Sequence, residues 1–288
     1  MKLLSYKSDF STGLGVVVSE THFVPLECLL PEMPRRMEDL LAMPGALQKV
    51  SATDTAGAEM VSLDSVEIEP VVTRPGVVWG AALTYAGHVS ESKNVKPDVP
   101  LFFIRTAISQ CGHRQPMIKP AVSDLLDYEG ELAVIIGKKG HHIKESDAMD
   151  YVAGYTCYND GSVRDWQKQT VLIDVGKNFA ATGGCGPWLV TRDELPDPYS
   201  SRLVTRVNQE IVQDEKISSL LFSIEYMISY LSHIAPLQPG DIILTGTPGG
   251  VGFRRSPQLF LKHGDEVSVS IDGIGTLVNP VINESVLD

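Results

Sequence analysis

Asp127-Tyr128-Glu129-Gly130-Glu131 sets two acidic side chains two residues apart just ahead of an apolar run, Leu132-Ala133-Val134-Ile135-Ile136. The run reads as a strand. A strand's period of two puts Glu129 and Glu131 on one face with their carboxylates close together. Like charges at that spacing repel, and Gly130 between them weakens the strand. Either a divalent cation compensates, or the two glutamates are exposed on an edge strand. A third carboxylate, Asp160 in Asn159-Asp160-Gly161-Ser162, follows a strand over residues 151–158. It is either a further ligand at that strand's end or a turn residue bonded to its own backbone. Three carboxylates with no paired His or Cys make an all-oxygen site, suited to Mg²⁺, Mn²⁺ or Ca²⁺ rather than Zn²⁺.

His88 and Glu91 stand three residues apart in Tyr85-Ala86-Gly87-His88-Val89-Ser90-Glu91. On a short helix that spacing lets them touch. A carboxylate bonded to an imidazole fixes its tautomer and raises its basicity, which makes a general base; the alternative is a surface contact. The polar stretch over residues 92–98 is either a lid over the site or a plain loop. Residues 245–252, Thr-Gly-Thr-Pro-Gly-Gly-Val-Gly, lack the Lys and spacing of a phosphate loop. They read as a nest of backbone N–H groups for an oxyanion or carboxylate, or as a tight turn. No G-x-S-x-G elbow occurs, which argues against a serine hydrolase. His141-His142 lies in a Lys-rich loop and reads as solvated surface.

The elements that must position these groups are mostly strands. Beyond the two above, strands are expected at residues 15–18, 61–72, 77–79, 100–105, 188–191, 203–208, 241–245, 267–271 and 275–278. Residues 36–50 have helical spacing broken by Pro44-Gly45. One helix is clear between Ser219 and Ser232, with Leu220, Leu221, Ile224, Met227, Ile228 and Leu231 on one face. Thr73-Arg74-Pro75-Gly76 is turn chemistry and marks a boundary: a small N-terminal domain over residues 1–72, and a catalytic domain over 73–288. Many strands and few helices exclude a repeated βαβ wind and give an α+β, β-rich roll or sandwich.

Composition narrows the function. With 24 Lys+Arg against 36 Asp+Glu, the formal net charge is −12, which argues against a nucleic-acid or anionic-membrane surface. No apolar run approaches the roughly 18 residues of a spanning helix. The second Lys of Met1-Lys2-Leu3-Leu4-Ser5-Tyr6-Lys7 comes too early for a signal-peptide core. Cys28, Cys111, Cys157 and Cys185 are dispersed, as reduced thiols of a cytoplasmic protein would be.

In order along the chain, these segments resemble the fumarylacetoacetate hydrolase family from about Arg74 onward. The likeness rests on Y-x-x-H-x-x-E (Tyr85, His88, Glu91), D-Y-E-x-E-L, and N-D-x-S-x-R-D-x-Q (Asn159 to Gln167). It continues through G-K-x-F with Lys177, G-P-W-L-V-T at 186–191, and P-G-D-x-I-x-T-G-T-P-x-G-V-G at 239–252. The resemblance implies a mixed β-roll or sandwich, a homodimer, and one Mg²⁺ or Mn²⁺ per chain held by Glu129, Glu131 and Asp160. It implies His88 and Glu91 as a water-activating dyad, Lys177 as a catalytic group, and Tyr85, Arg105, Arg164, Gln167, Gly246 and Thr247 as substrate contacts. Thr84, Arg105 and Ala180 depart from residues common in the family. Arg105, always cationic, suggests a dianionic substrate.

The activity so implied is hydrolysis of an acylpyruvate, a 2,4-dioxo acid such as fumarylpyruvate or maleylpyruvate from aromatic breakdown, to pyruvate and a carboxylic acid. The alternative is a decarboxylase or isomerase of the oxaloacetate or 2-hydroxydienoate type, or a 2,4-dioxo-3-deoxy sugar acid hydrolase, with the same metal site.

Overall fold

The computed structural model describes residues 1–9, 11–87 and 98–285. Its architecture is the expected β-rich one. A twelve-stranded sheet carries a five-stranded sheet against one face, and the helices are short. Along its main path the large sheet runs Val61–Ser62, His22–Pro25, Thr12–Val17, Lys2–Lys7, Gly183–Thr191, Val152–Asp160, Gly130–Ile136, Ile242–Leu244, Val78–Ala82 and Leu101–Arg105. Residues 1–72 thus extend one end of this sheet, through the pairing of Lys2 with Val190.

The three central strands, Gly183–Thr191, Val152–Asp160 and Gly130–Ile136, are buried at every position. Both faces of the sheet are covered there, so these strands show continuous apolar runs rather than alternation. Successive residues serve opposite cores. Leu132, Val134 and Ile136 pack with Leu203, Val269 and Leu277 of the smaller sheet and with Ile224 and Ile228 of a helix. Ala133 and Ile135 pack on the other side with Leu3, Leu40 and Val50. Each fully buried Leu or Ile contributes about 1.5–3 kcal/mol, so truncation here is costly. Gly130–Ile136 lies between Val152–Asp160 and Ile242–Leu244, which removes the edge-strand reading of Glu129 and Glu131.

The clear helix is Ile224–Ile234, starting later than its apolar spacing suggests. The Ser223 hydroxyl accepts from Tyr226 N and caps it. Leu220 and Leu221 are drawn off to the segment before the site: Leu220 bridges Tyr85, and Leu221 N donates to Thr84 O at 2.7 Å. The region read as one strand over 61–72 is two short strands, Val61–Ser62 and Glu67–Ile68, with a turn between them. That turn is fixed by the Ser62 hydroxyl accepting from Asp64 N. Residues 36–50 are two helices, Met37–Ala42 and Ala46–Ser51, parted where Gly45 takes a left-handed φ of 75°.

All four cysteines are free, and burial pushes the thiols of Cys111, Cys157 and Cys185 up to about 12, which leaves them inert. Among the described residues no helix is long and apolar enough to cross a membrane.

Candidate metal centre and its pocket

The antiparallel register of the two central strands builds the site. It sets Gly130 opposite Asn159 and Glu131 opposite Tyr158. Glu129 N donates to the Asn159 side-chain oxygen at 2.9 Å, and Asp160 N donates to Glu129 O at 2.8 Å. Asp160, the last residue of its strand, is thereby locked beside the two glutamates. Oxygens of Glu129, Glu131 and Asp160 all lie within 4.8 Å of one another, and all three residues are buried.

Gly130 is required for this closeness. A Cβ there would lie 2.0 Å from the Thr205 hydroxyl of the smaller sheet. Its N–H instead donates to Gln213 Oε1 at 2.9 Å, while Gln213 Nε2 donates to Thr247 Oγ1 at 2.7 Å and to Pro248 O at 3.1 Å. Gln213 thus ties the glutamate strand to the turn after Ile242–Leu244. In that turn Gly246 has φ +95°, and a Cβ would strike the Thr84 hydroxyl at 1.8 Å. The same hydroxyl donates to Thr245 O at 2.7 Å. Thr84, a departure from the family pattern, therefore fits its own surroundings.

Cations surround two of the three carboxylates. Lys177 Nζ donates to Glu129 Oε2 at 2.7 Å and to Asp160 Oδ2. Arg164 donates to Glu129 Oε1 at 2.6 Å and to Asp127 Oδ2 at 2.8 Å. Burial opposes the charge on Arg164, but Glu129 and Asp127 outweigh it and hold its pKa up. Arg105 donates to Asp160 Oδ1 and to Gly161 O. Glu131 differs. It accepts from Gly246 N at 2.8 Å, and among the described residues no cationic side chain forms an ion pair with it. Burial, then Asp160 and Glu129, push its carboxyl well above the ordinary range.

That imbalance suits a bound ion. Four buried carboxylates, counting Asp127, face three buried cations, and Glu131 is the carboxyl left without a cationic partner among the described residues. Three converging oxygens with an unmatched charge suit one hard divalent cation.

Above the carboxylates opens a cavity of about 360 Å³. Glu129, Glu131, Arg164, Gln167, Lys177 and Thr247 line it, bringing six of the sequence-derived candidates together. Three others lie elsewhere. Arg105 is fully buried on Asp160, outside the lining, because the carboxylate and Gly161 O occupy its donors. Tyr85 is 1% exposed, and its buried hydroxyl has no hydrogen-bond partner among the described residues. Gly246 turns its N–H to Glu131 rather than to the cavity. His88, Glu91 and residues 92–97 lie outside the described residues.

Two contributors had no role in the sequence reading. Asp127 accepts from Tyr128 N at 2.9 Å, Gly252 N at 2.9 Å and Phe253 N at 3.0 Å, as well as from Arg164. It joins the glutamate strand to a turn far along the chain. Its place in D-Y-E was the one available signal. Gln213, 83 residues from Gly130, gave none.

Residues 77–282 match the family described as the fumarylacetoacetate (FAA) hydrolase C-terminal domain. The mitochondrial oxaloacetate tautomerase of Homo sapiens is 39% identical over 98% of this chain and 92% of that protein. A structure titled as a putative HpcE protein from Mycobacterium smegmatis superposes with a TM-score of 0.87 at 31% identity, covering 99% of this chain and 100% of that one. Maleylpyruvate hydrolase from Sphingobium sp. SYK-6, solved in complex with manganese(II) and pyruvate, superposes at 0.82 with 27% identity, again over 99% and 100%.

Proposed function

The chain belongs to the fumarylacetoacetate hydrolase family, and on that premise we propose that it is a divalent-metal-dependent isomerase interconverting the keto and enol forms of oxaloacetate. The observation that carries this reading is the buried trio of Glu129, Glu131 and Asp160, whose two glutamates line the cavity, with Lys177 Nζ across two of its members. The tautomerase relative, similar over nearly the whole chain, favours this isomerase-type alternative over acylpyruvate hydrolysis.

Glu129, Glu131 and Asp160 would hold Mg²⁺ or Mn²⁺, whose chemistry is to polarise the oxygens of a 2-oxo acid. The chain's own residues do the rest. Lys177, bonded to both Glu129 and Asp160, has one remaining N–H to offer to negative charge developing on the 2-oxo oxygen. Arg164 donates to Gln167 Oε1 at 3.0 Å, which leaves the Gln167 amide N–H groups for the substrate carboxylate. In this reading His88, with Glu91, would take one proton from C3, and solvent would supply one to the C2 oxygen. No water is added and no carbon–carbon bond breaks.

The test follows the ultraviolet absorbance of enol oxaloacetate with the Mn²⁺-loaded protein, against parallel assays for CO₂ and pyruvate. Faster enol–ketone interconversion without either product supports the reading. An unchanged interconversion rate overturns it.

The likeness to maleylpyruvate hydrolase supports a second reading, acylpyruvate hydrolysis, and a cavity of about 360 Å³ exceeds the needs of a four-carbon acid. There His88 would deprotonate water for attack at C4, and pyruvate released from fumarylpyruvate would be the signature.

A further inference from the structure

At the cavity rim, three cations gather about one aromatic ring. Lys168 Nζ stands 3.4 Å from the centroid of the Phe253 ring, Arg254 Cζ 4.8 Å and Arg164 Cζ 5.9 Å. Lys168, Phe253 and Arg254 all line the same cavity as Glu129 and Glu131. Arg105, Arg164 and Lys177 are each committed to a carboxylate, but Lys168 forms no ion pair or hydrogen bond among the described residues. Burial, then Arg164 and Arg254, push its pKa down, as expected where positive charge lacks a counter-ion.

The rim is also fixed relative to the floor. Phe253 N donates to Asp127, and the same carboxylate holds Arg164. Lys168 directly follows the short helix Arg164–Gln167. The ring and the lysine are therefore anchored from two segments to the group that also positions the metal-side residues. An anion entering the cavity over the Phe253 face would meet Lys168.

We infer that Lys168, with Arg254 across the Phe253 ring, is a specificity-determining subsite for a second, distal carboxylate, and that this site selects dianionic over monoanionic 2-oxo acids. The inference rests on the proposed 2-oxo acid chemistry and deepens it. It also moves the second anionic contact from Arg105, which Asp160 occupies, to Lys168 in the cavity lining.

The experiment uses two unreactive ligands that share an oxalyl head. N-oxalylglycine carries a distal carboxylate, and N-ethyloxamate carries a methyl group in its place. Calorimetry on the Mn²⁺-loaded protein compares wild type, Lys168→Met and Lys168→Arg. Losing one charge-assisted contact should weaken N-oxalylglycine by about tenfold to a hundredfold in Lys168→Met and much less in Lys168→Arg. N-ethyloxamate should then show no comparable loss. Equal losses for both ligands, or no loss for N-oxalylglycine, overturn the subsite. Because binding is read without turnover, the outcomes separate. Selective loss in a protein that leaves oxaloacetate tautomerisation unchanged sinks the proposed function alone. An active tautomerase whose Lys168→Met variant binds both ligands normally sinks the subsite alone.

Discussion

Arg105 and Asp160 form a pair with both side chains fully excluded from solvent. Arg105 also donates to Gly161 O at 3.0 Å and to Thr182 Oγ1 at 3.1 Å. The guanidinium therefore works from behind, holding a candidate metal ligand in place. Replacing it leaves Asp160 Oδ1 without its cation, with Lys177 alone on the other oxygen, and breaking such a pair costs up to about 3–5 kcal/mol. Arg105→Leu is expected to lower the urea midpoint by that equivalent. Unchanged stability with a raised KM would instead return Arg105 to substrate binding.

Glu131 is the trio's unmatched charge. Glu131→Gln removes a buried carboxyl that has no cationic partner among the described residues and that burial already drives toward its neutral form, so the metal-free protein is expected to be as stable as wild type or more so. Saturating Mn²⁺, at a hundred times Kd, stabilises a single-site protein by about 2.7 kcal/mol. Wild type should show such a rise in Tm and lose it on chelation, whereas Glu131→Gln should show none. Differential scanning calorimetry with and without chelator checks both halves.

Gln213 couples two sheets through Gly130 and Thr247. Gln213→Leu leaves a buried N–H and a buried hydroxyl without their partner. A loss of about 1–3 kcal/mol is expected. Turnover should fall beyond what stability explains, because Thr247 lines the cavity. Steady-state kinetics at a temperature where the variant is fully folded checks this.

His113 Nδ1 accepts from Val278 N at 3.1 Å. Burial, then Arg114, push its pKa down from 6.5 to about 4. The folded state thus favours the neutral ring. Its stabilising contribution is complete above the unfolded value and is lost as pH falls from about 6.5 to about 4. Between those limits wild type should lose more stability than His113→Gln, read from paired urea titrations. Parallel losses would show that the imidazole does not drive the effect.

The sequence by itself determined the acidic cluster and the strands that carry it. Glu129 and Glu131 were legible because spacing along a strand is a local property, and Asp160 because it ends an apolar run. The broken helix at Pro44-Gly45 was legible for the same reason. What only the tertiary structure decided is which charges meet. Arg105 and Asp160 are 55 residues apart, and Gln213 and Thr247 approach from different strands and turns. Lys168 reaches Phe253 only once Asp127 has pinned the turn carrying that ring. Local periodicity sets the direction in which a side chain leaves its own backbone. The distance to a remote partner depends on how sheets stack and strands register, and that is fixed by packing across the whole chain.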